Sequence, residues 1–436
     1  MVARAAALVA PVLTGSVLLA SCANVTVLTV SHAGDTDGVT PTTIRVGAMG
    51  SFSGFAASSF APVTTGAAVY FDRVNAAGGV NGRKIVYSPL VDDGTSPSGD
   101  TAAAQRLVQS KVFAVVGVGT PFFTGSSILR SQAVPTFGIQ ENTNAQWSGP
   151  AMFGAGGSYI ASSLPMPQVA YVAQQTHRRT AAVLAYNVAQ SSGGCVAVVK
   201  GLAKYHIATP VVDFSIPYGA ASLDADVTRM QQNGVDFVAT CMDSTGNIKL
   251  SQTLQQHGMG ATVQYWLDGY DRRILDNNES AYQGVYFLLQ QTPFEVTALH
   301  PGVYPGIDAF NAALKRYAPG TTPSGTALAG WVSADLFVRG LRAIGNDVTR
   351  TALVRAINRL TAFTADGAYP PVNWEIAHTG VNDLDCTTYV RARGTRFVPV
   401  FTTPASVYSC YDQTGRARTS SVTVTTLPLQ PGVPGK

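Results

Sequence analysis

The sequence predicts an α/β protein with open parallel sheets, and three observations over residues 44–138 predict it. Short apolar stretches alternate with amphipathic ones in strict order. The short stretches are nearly continuous apolar runs, as parallel strands covered on both faces must be. The longer ones carry apolar residues at helical spacing.

Taken in order, a strand over 44–49 leads into the turn Gly50-Ser51-Phe52-Ser53-Gly54. The stretch APVTTGAAVYFDRVNAA follows as a helix, with Val63, Ala67, Tyr70 and Val74 at i, i+4, i+7 and i+11 on one face. Gly78-Gly79 stops it. A strand over 84–91, a polar turn over 92–97 that takes in Asp92 and Asp93, and a helix near 101–110 come next. Strands over 113–118 and 134–138 complete the unit. Sheets of this kind bind ligands at the carboxyl ends of their strands, which points to the loops 50–54, 119–124 and 140–143.

The chain has 436 residues, enough for two or three domains, and its 46% hydrophobic and 12% charged residues describe a folded protein. A net charge of +4 with no basic cluster beyond Arg178-Arg179 or Arg272-Arg273 excludes a nucleic-acid-binding face. One Arg4 precedes an apolar run over 5–20 that is too short and Ala-rich for a membrane span and reads as an export signal. The run ends in Leu19-Ala20-Ser21-Cys22, which resembles the bacterial lipoprotein signal and implies a multiply acylated Cys22 on the outer face of the cell membrane. A plain secretory peptide is the competing reading.

Outside the cytoplasm, the remaining Cys195, Cys241, Cys386 and Cys410 suggest two disulfides, with three connectivities open. Pairing of sequence neighbours, Cys195–Cys241 and Cys386–Cys410, is favoured and adds at most roughly 4 and 3.5 kcal/mol in the loop-entropy picture. There is no Cys-x-x-Cys and no His-Glu-x-x-His, so no metal or other cofactor is expected.

Residues 23–40 read as a tether. After the first unit the pattern breaks at Gly154-Ala155-Gly156-Gly157-Ser158, with Ser158 a potential cap for a helical segment near 163–176. A second α/β unit follows, with strands over 180–186, 209–215, 235–241, 262–267 and 285–289. Its helices include 222–233, with Ser222 at the N-cap and Gly234 as the stop, and 245–257. Helices over 306–317, 327–344 and 349–360 are expected to return to the first unit. Short strands over 373–376, 387–393 and 396–400 close the structure, and the proline-rich tail from Thr419 carries no periodicity.

The runs IRVGAMGSFSGFAA and GAAVYFDRVNAAGGVNGRKIVYSPLVDDGTSPSGDTAAAQRLVQSKVFAVVGVG resemble the first lobe of periplasmic binding proteins of the leucine/isoleucine/valine-binding type. The helix ending Val-Asn-Ala-Ala-Gly-Gly-Val-Asn-Gly-Arg before a strand carries most of the likeness. YGAASLDADVTRMQQNGVDFVATCMDSTGNIKLSQTLQQHGM, AYQGVYFLL, DAFNAALKRYAPGTTPSGTALAGWVSADLFVRGLRAI and YVRARGTRFVPV continue it. The resemblance implies the type I fold of that family, two doubly wound parallel-sheet lobes joined by three hinge crossings. It divides the chain into a signal (1–21), a tether (22–42), lobe 1 (43–155 and 290–368), lobe 2 (156–289), hinge and closing strands (369–415) and a tail (416–436). It further implies a monomer that binds a small solute between its lobes and delivers it to the permease subunits of an ABC importer. Only a ligand touching both lobes can shift such a clamshell shut. A micromolar constant, roughly 8 kcal/mol, is within reach of a few charged hydrogen bonds and an apolar pocket.

Carried onto this sequence, the first-lobe candidates are Ser51, Ser53, Thr120, Phe122, Gln140, Glu141 and Asn142. Pro121 has no N–H to offer a ligand. Glu141 stands where the family usually has small or hydroxyl residues, and it would repel a ligand carboxylate by about 4 kcal/mol at 4 Å. Either Glu141 turns to solvent or the ligand is an amide, a urea-like compound or a cation rather than an ordinary amino acid. From the second lobe come Tyr186, Asn187, Asp243 and Ser244, with Asp268 and Tyr270 at the border. Asp243 is the candidate acceptor of a ligand ammonium; its competing role is the N-cap of the helix after it.

Two other classes compete. An exported hydrolase would want Gly-x-Ser-x-Gly, but Gly50-Ser51-Phe52-Ser53-Gly54 puts phenylalanine at the nucleophile position, so no catalytic residue is assigned. A sensor reporting to a surface receptor would use the same binding fold.

Overall fold

Five parallel strands make the first sheet: β1 (Thr43–Gly50), β2 (Lys84–Asp92), β3 (Ala114–Val118), β4 (Thr136–Gly138) and β5 (Met152–Gly154), in the order β2-β1-β3-β4-β5. The computed structural model describes residues 34–140, 144–157, 165–378, 385–402 and 406–411. The Cys22 lipid site, the tail, Glu141, Asn142 and the Ser158 cap lie outside the described residues. β3, reading AVVGV, is buried at every position, which is why it carries no alternation.

The second sheet contains β6 (Thr180–Tyr186), β7 (Ala208–Ile216), β8 (Phe237–Cys241), β9 (Val263–Trp266), β10 (Tyr286–Leu289), β11 (Asp385–Arg393) and β12 (Arg396–Val400), in the order β12-β11-β10-β9-β8-β6-β7. The short β13 (Ser409–Tyr411) pairs with β11. The core of this sheet is parallel, as expected, and β11 at its closing edge runs antiparallel to β10, β12 and β13. The order reverses between β1 and β3 in one sheet and between β6 and β8 in the other. Loops leaving those strands diverge and open a crevice. The chain leaves the first sheet after β5, returns after β10 and crosses once more before β11.

The helices Pro305–Tyr317 and Gly325–Ile344 pack on the helix Pro62–Ala76. A Cβ on Gly66 would lie 1.7 Å from the Ala327 carbonyl oxygen, and one on Gly330 would lie 1.9 Å from that of Val63. Only hydrogen fits at either point, so the two helices touch backbone to backbone. Around this crossing Tyr70 packs edge-on to Trp331 at 4.7 Å and donates its hydroxyl to Asp335 at 2.5 Å.

Several elements differ from expectation. Residues 373–376 form no strand: Pro371 and Pro370 have no N–H for a ladder, Trp374 is buried in the core, and Ala377 N–H returns to the Asn373 carbonyl in a turn. The helix Ala189–Lys204 is not among the expected elements; burial of Cys195, Val198 and Leu202 on one face holds it despite Gly193 and Gly194. The helix expected near 101 starts earlier, at Pro97, with the Ser96 hydroxyl accepting from Gly99 N–H. Ser222 is not the N-cap of its helix, which begins at Asp224; its hydroxyl accepts from Asp224 N–H one residue further out. Gly34–Thr42, read as tether, packs on the first lobe, where the Asp35 carboxylate accepts from Thr351 N–H at 2.8 Å.

Both neighbour disulfides are present. Cys195–Cys241 ties the unexpected helix to the end of β8 with a Cα–Cα distance of 5.8 Å, and Cys386–Cys410 joins directly opposed residues of β11 and β13.

Replacing Gly330 with valine forces the two first-lobe helices apart. We expect a loss of about 1–3 kcal/mol in urea-unfolding stability, while an alanine at Gly193, where φ is not positive and nothing lies within 4 Å of an added Cβ, should cost less.

Candidate functional site

Three first-lobe loops meet where β1, β2 and β3 end, and an aspartate holds each. Asp92, the last residue of β2, accepts through a single oxygen from the N–H groups of Phe52 (2.9 Å), Ser53 (3.1 Å) and Gly94 (3.0 Å). Partial burial pushes its carboxyl up, but the Ser53 contact and these N–H groups outweigh it and hold the group below the usual carboxylate value. Asp93 is buried and accepts from the Ser51 hydroxyl at 2.9 Å and from Thr95 N–H at 2.7 Å. Asp100, fully buried in the first turn of the helix Pro97–Gln109, accepts from Gly125 N–H at 2.7 Å and takes weaker contacts from the Thr120 and Thr124 hydroxyls. Burial pushes its carboxyl up to about 6; Gly125 N–H opposes the shift and the charge of Asp93 adds to it.

The candidates on these loops therefore differ in position. Ser51 and Thr120 are buried with their hydroxyls turned onto carboxylates. Ser53 is exposed, and Phe122 is half-buried beside the fully buried Phe123, which packs on Trp147 at 4.8 Å. Gln140 is buried next to Gly154 and Gly156 at the first crossing, and its Oε1 has no hydrogen-bond partner.

In the second lobe Asp243 caps the helix Ser244–Gln256 by accepting from Gly246 N–H at 2.9 Å. The same carboxylate receives the Tyr186 hydroxyl at 2.6 Å and the Tyr218 hydroxyl at 3.1 Å. Burial, then the Asp243 charge, pushes the Tyr218 hydroxyl up to about 12, and Tyr186 is raised by burial and the same carboxylate. Ser244 gives both its hydroxyl (3.0 Å) and its N–H (3.2 Å) to Asp268. Asp268 touches water at the cleft edge, yet protein crowds it closely enough that burial pushes its carboxyl up. Asn187 is exposed, its N–H bonded to the Ile216 carbonyl. Tyr270 points toward the second crossing, donating to Glu295 at 2.6 Å and stacking on Phe294.

Two aromatic residues that sequence reasoning missed complete the site. Phe55, beyond β1, and Tyr218, beyond β7, are 65% and 52% exposed, and their rings meet at 5.8 Å across the lobes. Tyr218 also packs on Tyr186 at 4.8 Å. Large aromatics inside Gly- and Ser-rich loops were the available signal. The same reasoning missed Asp100, whose only trace is an acid in a helix's first turn. Among the described residues no group of three or more His, Cys, Asp or Glu is placed to hold a metal, and no helix is long and apolar enough to cross a membrane.

The family profile described as "Periplasmic binding protein" matches residues 43–393. Similar solved structures include a fatty acid ABC transporter substrate-binding protein from Thermomonospora curvata, at 18% identity and a TM-score of 0.69, covering 89% of this chain and 95% of that one. A branched-chain amino acid transporter substrate-binding protein from Streptococcus pneumoniae in complex with isoleucine aligns at 18% identity and a TM-score of 0.64, over 82% and 99%. An ABC transporter solute-binding protein from R. palustris in complex with benzoate gives 20% and 0.62, over 82% and 95%. At these identities the likeness shows the fold alone. No match was found among curated protein sequences.

Asp100 makes stability depend on pH. Its folded value of about 6 lies above the ordinary 3.8, so the folded state holds the extra proton between those values and stability falls as pH rises through them. Asp100→Asn, which keeps an acceptor for Gly125 N–H, should gain on the wild type from pH 4 to pH 7, by up to about 3 kcal/mol in urea-unfolding free energy.

Proposed function

The chain belongs to the periplasmic binding protein family, and from that premise we propose that it is the extracytoplasmic solute-binding subunit of an ABC importer. It captures a small polar solute, an amino acid, amide or related compound, between its lobes and presents the closed form to permease subunits. The observation that carries this reading is the meeting of Phe55 and Tyr218 above two sets of polar loops, one from each sheet. A solute held there touches both lobes at once, which is the condition for closing them. The fatty acid, isoleucine and benzoate named for the similar structures make a small organic solute the expected cargo. Acylation of Cys22 would keep the protein, a monomer, on the outer face of the cell membrane beside its permease.

The second lobe supplies the charged anchor, Asp243, already oriented by its N-cap bond and two tyrosine hydroxyls. Such pre-orientation lowers the ordering cost of binding. The hinge runs through the second crossing, where Phe294 stacks between Tyr270 of lobe 2 at 5.8 Å and Phe310 of lobe 1 at 6.0 Å.

A thermal-shift screen of amino acids, amides, amines and aromatic acids identifies the solute, and X-ray scattering then tests closure. The expected result is a smaller radius of gyration with the solute bound. The same scattering profile with and without every solute that binds would remove the clamshell reading.

A further inference from the structure

Among the described residues, the following donors of the cleft loops are engaged within the protein. In the first lobe, Phe52, Ser53 and Gly94 N–H point at Asp92, the Ser51 hydroxyl and Thr95 N–H at Asp93, and Gly125 N–H at Asp100. Ser51 N–H bonds the Gly119 carbonyl, and the Thr124 hydroxyl bonds the Pro97 carbonyl. The backbone nest that would cradle a ligand carboxylate thus holds the protein's own carboxylate, Asp92. The second lobe repeats the pattern, with Gly246 N–H and the Tyr186 and Tyr218 hydroxyls on Asp243, and Ser244 on Asp268.

Acceptors, by contrast, are in excess. Asp93 Oδ2 and Asp100 Oδ2 are buried without a hydrogen-bond partner, and Asp268 stands open at the cleft edge. The cations on neighbouring segments are committed elsewhere: Lys249 to the Ala220 carbonyl, Arg272 to Asp276 at 2.8 Å and Arg273 to Asp271 at 2.5 Å. The charges acting on the Tyr186 and Tyr218 hydroxyls include Asp243 and Asp268, which both raise them. The faces of Tyr186, Tyr218 and Phe55 add a surface of the kind that attracts organic cations.

We propose that the cleft selects a small organic cation without a carboxylate, its ammonium or guanidinium received by Asp243 and Asp268 and its hydrocarbon by the three aromatic rings. This rests on the solute-binding reading and, within it, sets the amino acid aside for a carboxylate-free cation. A cation brings donors to a cleft whose described carboxylates already take the neighbouring backbone N–H groups. A carboxylate would have to displace Asp92 from three N–H groups while facing acids on both lobes.

Titration calorimetry on the mature full-length protein tests this with agmatine, putrescine and choline against isoleucine, benzoate and octanoate. The expected result is that at least one cation binds a hundredfold more tightly than any carboxylate. Asp268→Asn, which retains an acceptor for Ser244, should weaken that cation at least tenfold with the melting temperature held or raised. Tighter binding of a carboxylate than of all three cations, or unchanged cation binding in the folded Asp268→Asn variant, would overturn the cation assignment and leave the solute-binding reading standing. Failure of all six and of every solute in the wider screen would overturn both.

Discussion

One carboxylate oxygen of Asp92 holds three backbone N–H groups, and the shape of the first-lobe site depends on that bond set. A loop leaving a parallel strand has lost its ladder partners, and its N–H groups need acceptors. This chain meets the need with acids at the strand ends and helix starts: Asp92, Asp93 and Asp100 in one lobe, Asp243 and Asp268 in the other. Each acid stiffens a loop and at the same time sets the sign of the field in the cleft. Loop rigidity and ligand chemistry are therefore a single property of the same residues.

The lobes behind these loops are built differently. The first depends on helices that return from far along the chain and press glycine against backbone at Gly66 and Gly330, so the two segments of lobe 1 are joined by close contact rather than by chain continuity. The second is sealed by antiparallel closing strands and the Cys195–Cys241 disulfide, while Cys386–Cys410 packs with the core of the first. Between them the Tyr270–Phe294–Phe310 stack carries packing through a crossing where Glu295, pushed up by burial, accepts the Tyr270 hydroxyl. In the proposed closure this crossing would be the hinge, with the two packed lobes on either side of it turning as rigid bodies.

Much of this frame was legible in the sequence for local reasons. β1 and the helix Pro62–Ala76 are bounded by Pro and Gly, and β6 is a continuous apolar run, so local preference and tertiary packing agree. The helix Ala189–Lys204 was illegible because packing and a disulfide override its glycines, and the segment around Trp374 misled because a buried tryptophan resembles a strand residue. The site was half legible. Asp243 stood out as both a cap and a ligand acceptor, and the cap is what its geometry displays. The roles of Asp92 and Asp100 were hidden, since no pattern states which N–H a carboxylate will find once distant loops are brought together.

The central claim is that the protein's own acids fill the donor sites of the cleft and leave it to cations. A crystal structure of the complex with the tightest-binding solute tests it directly. The account predicts a ligand nitrogen within hydrogen-bond reach of Asp243 or Asp268, with Asp92 still bound to Phe52, Ser53 and Gly94. A ligand carboxylate seated on those three N–H groups, with Asp92 turned away, would contradict it.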